Sequence, residues 1–301
     1  MGHIIDIGGA DFFLCIKNGC LTAVKDKQDL LCVHPSDVSS IICHGARQSF
    51  SSAFMFCCAD YNIPVVFCDK KHLPISISLP VNQHTKTFQR MMLQIETSVP
   101  TKKQIWQMIV KDKLKKQAEH VGFYGNEKIQ EKIMYWYNLV KSGDTTGCEA
   151  LGARLYFPAI FGQSFKRHES DITNILMNYT YTILRSCIAR QVSAAGLNPF
   201  FSIFHSNKEN PMALIDDLIE PLRPLADRYV ILIKELYQGE SILCPDMKRR
   251  AIMITKHEVY FDGTKQELQI ALKNYIYSYI SVLDKKKKKL VIPEYSYDFT
   301  L

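Results

Sequence analysis

No Cys-x-x-Cys pair occurs in the 301 residues, although the chain has 10 cysteines. A cysteine-built zinc site needs clustered pairs, and a disulfide framework needs a secretory context. Cys15, Cys20, Cys32, Cys43, Cys57, Cys58 and Cys68 all fall in the first quarter, on β-prone segments. There, reduced thiols act as small apolar side chains. No apolar run approaches the roughly 20 residues of a membrane helix. The start, Met1-Gly2-His3-Ile4-Ile5-Asp6, has no basic stretch leading into an apolar one, and Asp6 stands where a lipidation signal wants Ser or Thr. These absences predict a soluble, cytoplasmic protein without a membrane partner. Nucleotide loops are missing too. Ile7-Gly8-Gly9 lacks the third glycine and the helix of a dinucleotide fingerprint, and Gly143-Asp144-Thr145-Thr146-Gly147 lacks the Gly-Lys-Ser/Thr of a phosphate loop. The second stretch reads as a turn between helices, with Asp144 or Thr145 capping the next one. No internal repeat is visible.

What remains is an ordinary globular composition: 47% hydrophobic and 22% charged residues, with 15 Tyr and 16 Phe to build a core. The length allows two domains. A formal charge of +7 favours an anionic partner such as nucleic acid, but only slightly.

The first 80 residues read as β structure. Segments 12–16 and 21–24 flank Lys17-Asn18-Gly19-Cys20, and Asn-Gly suits the two positive φ angles of a type I′ hairpin turn. Further strands are predicted over 38–43, 63–68 and 75–79, with a short helix over 49–59. After Pro80 the apolar spacing becomes helical. Helices are predicted over 81–94, 102–120, 127–140, 145–157, 171–195, 211–237 and 266–283. The expected class is α+β: a small β-sandwich-like domain over 1–80, then a large all-helical domain over 81–301.

Three places could carry chemistry. Asn210-Pro211 makes a helix start, and the helix then presents Asp216, Asp217 and Glu220, with Asp217 and Glu220 sharing a face. Pro221 must bend or end that helix directly after Glu220. Glu149 stands among the small residues Ala150, Gly152 and Ala153, so it is either solvent-facing or buried with a partner. His205 closes an apolar run. Each has an ordinary structural reading when taken alone: a solvated acidic face, a first-turn Glu favoured by the helix dipole, and a core or surface histidine.

Taken in order, the segments resemble CRISPR-associated protein one, the adaptation endonuclease/integrase, in its type II form. The resemblance covers essentially the whole chain. It rests on Gly147-x-Glu149-Ala150-x-x-Ala153-Arg154-x-Tyr156-Phe157, Asn178-Tyr179-x-Tyr181-x-Ile183-Leu184 and Gly196-Leu197-Asn198-Pro199. His205-x-Asn207-x-x-Asn210 and the run from Asp217 through Glu220-Pro221-Leu222-Arg223 to Asp227 follow. Ile63 to Asp69, with Lys71-His72-x-Pro74, matches the end of the family's β domain. The family often carries Gly and a second His just before its ligand histidine, where this chain has Ser202 and Phe204.

The resemblance implies that Glu149, His205 and Glu220 are catalytic metal ligands, with Asp217 as an auxiliary carboxylate. Asn178 and Tyr179 are further candidates for lining the site, and Arg154, Arg167, Arg185, Arg190 and Arg223 for contacting phosphates. Two carboxylates and one imidazole suit Mg²⁺ or Mn²⁺ with open positions. The implied activity is DNA nicking by water and strand joining by a DNA 3′-hydroxyl, which inserts spacer DNA into a repeat array in antiviral defence. The implied partners are double-stranded DNA, a second copy of the chain bound through the β domain, and CRISPR-associated protein two. The type II effector nuclease and another adaptation protein complete the set. The competing readings are a catalytically silent DNA-binding scaffold and an unrelated metal-dependent nuclease.

Overall fold

A computed structural model describes residues 2–9, 11–45, 47–80, 84–167, 169–204, 210 and 212–301. The chain opens with β1 (His3–Gly8), β2 (Phe12–Lys17), β3 (Cys20–Lys25), β4 (Gln28–Val33), β5 (Val38–His44) and β6 (Gln48–Phe50). Helix α1 (Ser52–Asp60), β7 (Val65–Cys68) and β8 (Pro74–Ser78) follow. Two four-stranded sheets result, ordered β1-β5-β7-β8 and β4-β3-β2-β6. The Asn18-Gly19 turn joins β2 to β3 with φ of 50° and 75°, as its sequence predicts. The predicted helix over 49–59 begins later, because Ser51 is its N-cap and accepts the Phe54 N–H, leaving residues 48–50 to pair with β2.

Strand β5 fixes the relation of the layers. It is buried along its whole length. Ile41 and Cys43 face the core between the sheets, with Leu14, Leu21 and Phe54, while Ile42 faces the helical core together with Val66 and Cys68. Covered on both faces, the strand shows no exposed polar alternation, and its two serines are buried as well, with Ser39 Oγ donating to the His3 carbonyl at 3.1 Å.

The helical part comprises α2 (Thr87–Glu96), α3 (Val99–Phe123), α4 (Glu127–Leu139), α5 (Cys148–Phe161) and α6 (Ile172–Ala194). It continues with α7 (Ala213–Ile219), α8 (Arg223–Leu236), α9 (Pro245–Ile252) and α10 (Leu268–Leu283). Three sequence expectations need correcting. The span 211–237 is not one helix: a 3₁₀ turn, Glu220–Leu222, separates α7 from α8, because Pro221 and Pro224 each remove a backbone donor. Pro211 lies outside the described residues, and the helix begins at Ala213 rather than beside Asn210; Asn210 Oδ1 instead accepts the Met212 N–H. This part is also not all-helical. Strands β9 (Glu258–Phe261) and β10 (Thr264–Glu267) form an antiparallel hairpin, turned at Asp262 and Gly263 with φ of 51° and 78°. Asp-Gly is a strong hairpin signal in its own right.

Candidate functional site

Helix α5 enters the site through a capped start. Asp144 Oδ1 accepts the Cys148 N–H at 2.9 Å and Oδ2 accepts the Glu149 N–H at 3.0 Å, which satisfies donors the first turn would leave open. The small residues around Glu149 have a packing reason. A Cβ on Gly152 would meet Leu114 Cδ2 of α3 at 2.1 Å, so only glycine lets α5 approach α3 so closely. That approach sets Glu149 beside Lys113.

Lys113 is the residue the sequence reading missed. Its Nζ lies 2.5 Å from Glu149 Oε1 and 2.5 Å from Glu220 Oε2. The ammonium therefore bridges two carboxylates whose oxygens, by twice that distance, are at most about 5 Å apart. Glu220 stands in the 3₁₀ turn between α7 and α8, and Arg223 Nε donates to its other oxygen at 2.7 Å. Burial pushes the Glu220 carboxyl toward protonation, but Arg223 and Lys113 outweigh it and hold the group at about 2. Burial likewise pulls Lys113 toward losing its proton, while Glu220 and Glu149 keep it charged.

Asp217 is fully buried. The Ile203 and Phe204 N–H groups donate to its Oδ2 at 2.6 and 2.9 Å. Those amides immediately precede His205, which lies outside the described residues. Phe204 stacks face to face on Trp106 of α3, with ring centroids 4.5 Å apart. The chain is thus anchored twice just before the expected third ligand. Among the described residues no group of three or more metal-ligating side chains gathers. The donor chemistry nevertheless fits a divalent cation: two carboxylates from different elements already converge on one positive charge, and the anchored loop leads to a histidine.

Beside the pair lies a cavity of about 340 Å³ lined by Lys71, Arg167, Arg185 and Arg223, with Glu169 and Asn178 among its other walls. Arg167 donates to Asn174 and Asn178, each at 2.8 Å, and Asn178 in turn donates to the Lys71 carbonyl at 3.1 Å. Arg185 pairs with Asp216 at 2.6 Å. Arg223 also lies over the ring of Tyr181, whose hydroxyl donates to buried Asp227 at 2.5 Å. Burial, opposed by the Tyr181 and Tyr156 hydroxyls, lifts the Asp227 carboxyl to about 6.

The structure therefore brings together Glu149, Glu220, Arg167, Arg185, Arg223 and Asn178. It places three candidates elsewhere. Tyr179 donates to Asp6 of β1, which also holds His44 and Lys248, so it joins the β layer to the helices. Arg190 donates to the Val38 carbonyl at the start of β5. Arg154 is exposed on α5 and does not line the cavity. A signal for Lys113 does exist in the sequence. Trp106, Ile109, Val110, Lys113 and Gln117 recur at helical spacing and are all buried, so this lysine sits on the core stripe of α3.

A two-layer β part backed by helices is a fold shared with solved structures. The solved casposase bound to integration product superposes with a TM-score of 0.83 at 18% identity, over 99% of this chain and 96% of that one. A Cas6-RT-Cas1–Cas2 complex gives 0.79 at 17% identity, covering 99% of this chain and 36% of that one. The family described as CRISPR associated protein Cas1 matches residues 7–239. The CRISPR-associated endonuclease Cas1 of Neisseria meningitidis serogroup C (strain 8013) is 32% identical over 289 residues, covering 93% of this chain and 95% of the relative. The chain belongs to the CRISPR-associated protein Cas1 family.

Proposed function

We propose that this protein is a metal-dependent DNA endonuclease and integrase of CRISPR adaptation, which joins DNA 3′-hydroxyl ends into a repeat array. The observation that carries this reading is the convergence of Glu149 and Glu220 on a single cation position beside the arginine-lined cavity. A divalent cation held by Glu149, Glu220 and His205 would polarise a phosphodiester oxygen and favour the nucleophile's deprotonation. The chain's own residues do the rest. Arg167, Arg185 and Arg223 present guanidinium groups to phosphate oxygens, where paired donors match the oxygens' geometry. Asn178 keeps Arg167 aimed, and Asp217 fixes the backbone entering His205. In strand joining, the 3′-oxygen bonds to phosphorus as the target's own P–O3′ bond breaks. The hydroxyl proton ends on the departing 3′-oxygen, and the number of phosphodiester bonds is unchanged. Water as nucleophile gives nicking from the same arrangement.

The relatives support a wider assembly. One solved neighbour is a complex containing Cas1 and Cas2, so a Cas2-type companion is the expected partner here. The expected homodimer has material for an interface in the β part, where Phe13, Leu30, Phe56 and Ile75 are exposed. No helix among the described residues is long and apolar enough to cross a membrane.

The test is a joining assay with the companion, a short duplex bearing free 3′-hydroxyl ends, a plasmid carrying the repeat array, and Mn²⁺ with or without EDTA. Branched, covalently joined products that need Mn²⁺ and vanish in Glu220→Gln support the reading. DNA binding without joining, with the companion bound, returns the protein to a scaffold. Cleavage without branched products makes it a degrading nuclease.

A further inference from the structure

We propose that Lys113 is a built-in counter-cation of the carboxylate pair: it holds Glu149 and Glu220 together before loading and gives up their shared position when a divalent cation takes it. The inference rests on the metal-dependent reading above. Its geometry is independent of that reading. The Lys113 ammonium lies 2.5 Å from an oxygen of each glutamate. A Mg²⁺-sized cation bound by both oxygens would sit about 2.1 Å from each, inside the volume the ammonium fills. The two occupants exclude one another. The remaining Glu220 oxygen is already held by Arg223, so little of that carboxylate is free to bind a cation while Lys113 stays.

Charge leads to the same conclusion. Glu149, Glu220, Lys113 and Arg223 balance in pairs, and the Lys113 and Glu220 side chains are only 8% and 6% exposed. Adding two positive charges while Lys113 stays takes this balanced cluster to a surplus of two, and moving the Lys113 ammonium out halves that surplus. An apolar residue at 113 would suit the core stripe of α3 better, yet it would leave the buried Glu220 carboxylate facing the partly exposed Glu149 carboxylate in the unloaded protein. Lysine answers both needs, because its four-carbon stem lets the charge move while the helix stays in place.

The experiment uses the full chain. Mn²⁺ affinity is measured by titration calorimetry for the wild type and for Lys113→Gln, which removes the competing charge and keeps a donor. The expected result is Mn²⁺ binding about tenfold tighter in Lys113→Gln. Equal or weaker binding overturns the proposal. No Mn²⁺ binding by either protein overturns the metal-dependent reading itself and takes this proposal with it. A second measurement needs no folded Gln variant. The buried Lys113 ammonium should give a slowly exchanging ¹⁵N–¹H signal in metal-free wild type, assigned by its loss in Lys113→Arg. Saturating Mg²⁺ should shift or remove it, and an unchanged signal overturns the displacement.

Discussion

Removing the Asp217 carboxylate should detach the chain that leads into His205 and slow joining without touching the cation position. Its Oδ2 accepts two backbone N–H groups, from Ile203 and Phe204, in a fully buried setting. Hydrogen bonds to a charged group contribute about 1.5–3 kcal/mol each, and a buried donor left unpaired adds to the loss. Because Phe204 is half-exposed, water recovers part of this, and Asp217→Ala should cost about 3 kcal/mol. If the loss appears as detachment of this segment, the poised population, and with it the single-turnover joining rate, falls roughly a hundredfold. Asp217→Asn keeps an oxygen acceptor and loses only the charge assistance, about 1 kcal/mol, or roughly fivefold in rate. The assay is joining under saturating Mn²⁺ with thermal unfolding measured in parallel. If Asp217→Asn is as inactive as Glu149→Gln while its unfolding temperature is unchanged, Asp217 acts on the cation directly and the anchoring argument is wrong.

Gly152→Ala should force α5 away from α3, since its Cβ would meet Leu114 Cδ2 at 2.1 Å; the expected cost is about 1–3 kcal/mol by denaturant unfolding, with weaker Mn²⁺ binding as Glu149 moves away from Glu220. His120 gives a pH test. It is completely buried, its Nδ1 hydrogen-bonds the Tyr156 hydroxyl, and burial with the Arg228 charge lowers its imidazole to about 3. The unfolded chain takes up this proton near pH 6.5 and the folded chain does not. Stability is therefore fully present above pH 6.5 and falls below it by about 1.4 kcal/mol per pH unit from this group. His120→Phe, which keeps the stack on Tyr297, should lose about 2 kcal/mol less than wild type between pH 7.5 and 5; equal losses would mean His120 is protonated in the fold. Lys285, Lys286, Lys287, Lys288 and Lys289 are exposed after α10. Neutralising all five should flatten the plot of log affinity for DNA against log salt, and an unchanged slope would leave the run as a solvated surface.

Much of the β part is legible because its signals are local. Asn18-Gly19 specifies a turn by φ alone. Sheet order is not legible, since the parallel pairing of β1 with β5 joins residues more than 30 positions apart. The β9–β10 hairpin was open to the same reasoning as the first, through Asp262-Gly263, but helical periodicity on either side outweighs four-residue strands. Glu149 and Glu220 stood out through the family resemblance; their own surroundings favour plainer readings. Lys113 was hidden because α3 carries six lysines from Lys102 to Lys116 and spacing alone does not pick out the one facing two distant carboxylates. Its membership of the apolar stripe was the available clue. Arg190 and Tyr179, which also lie in family-like segments, make hydrogen bonds that join the β layer to the helices.

The most direct test of the account is an anomalous-diffraction map from crystals of the full chain soaked in Mn²⁺. The account predicts one strong peak in contact with both the Glu149 and Glu220 carboxylates and with the His205 imidazole, with the Lys113 ammonium moved out of the space between the glutamates. No peak at that position under saturating Mn²⁺, or a peak held by other residues with the Lys113 bridge intact, would contradict it.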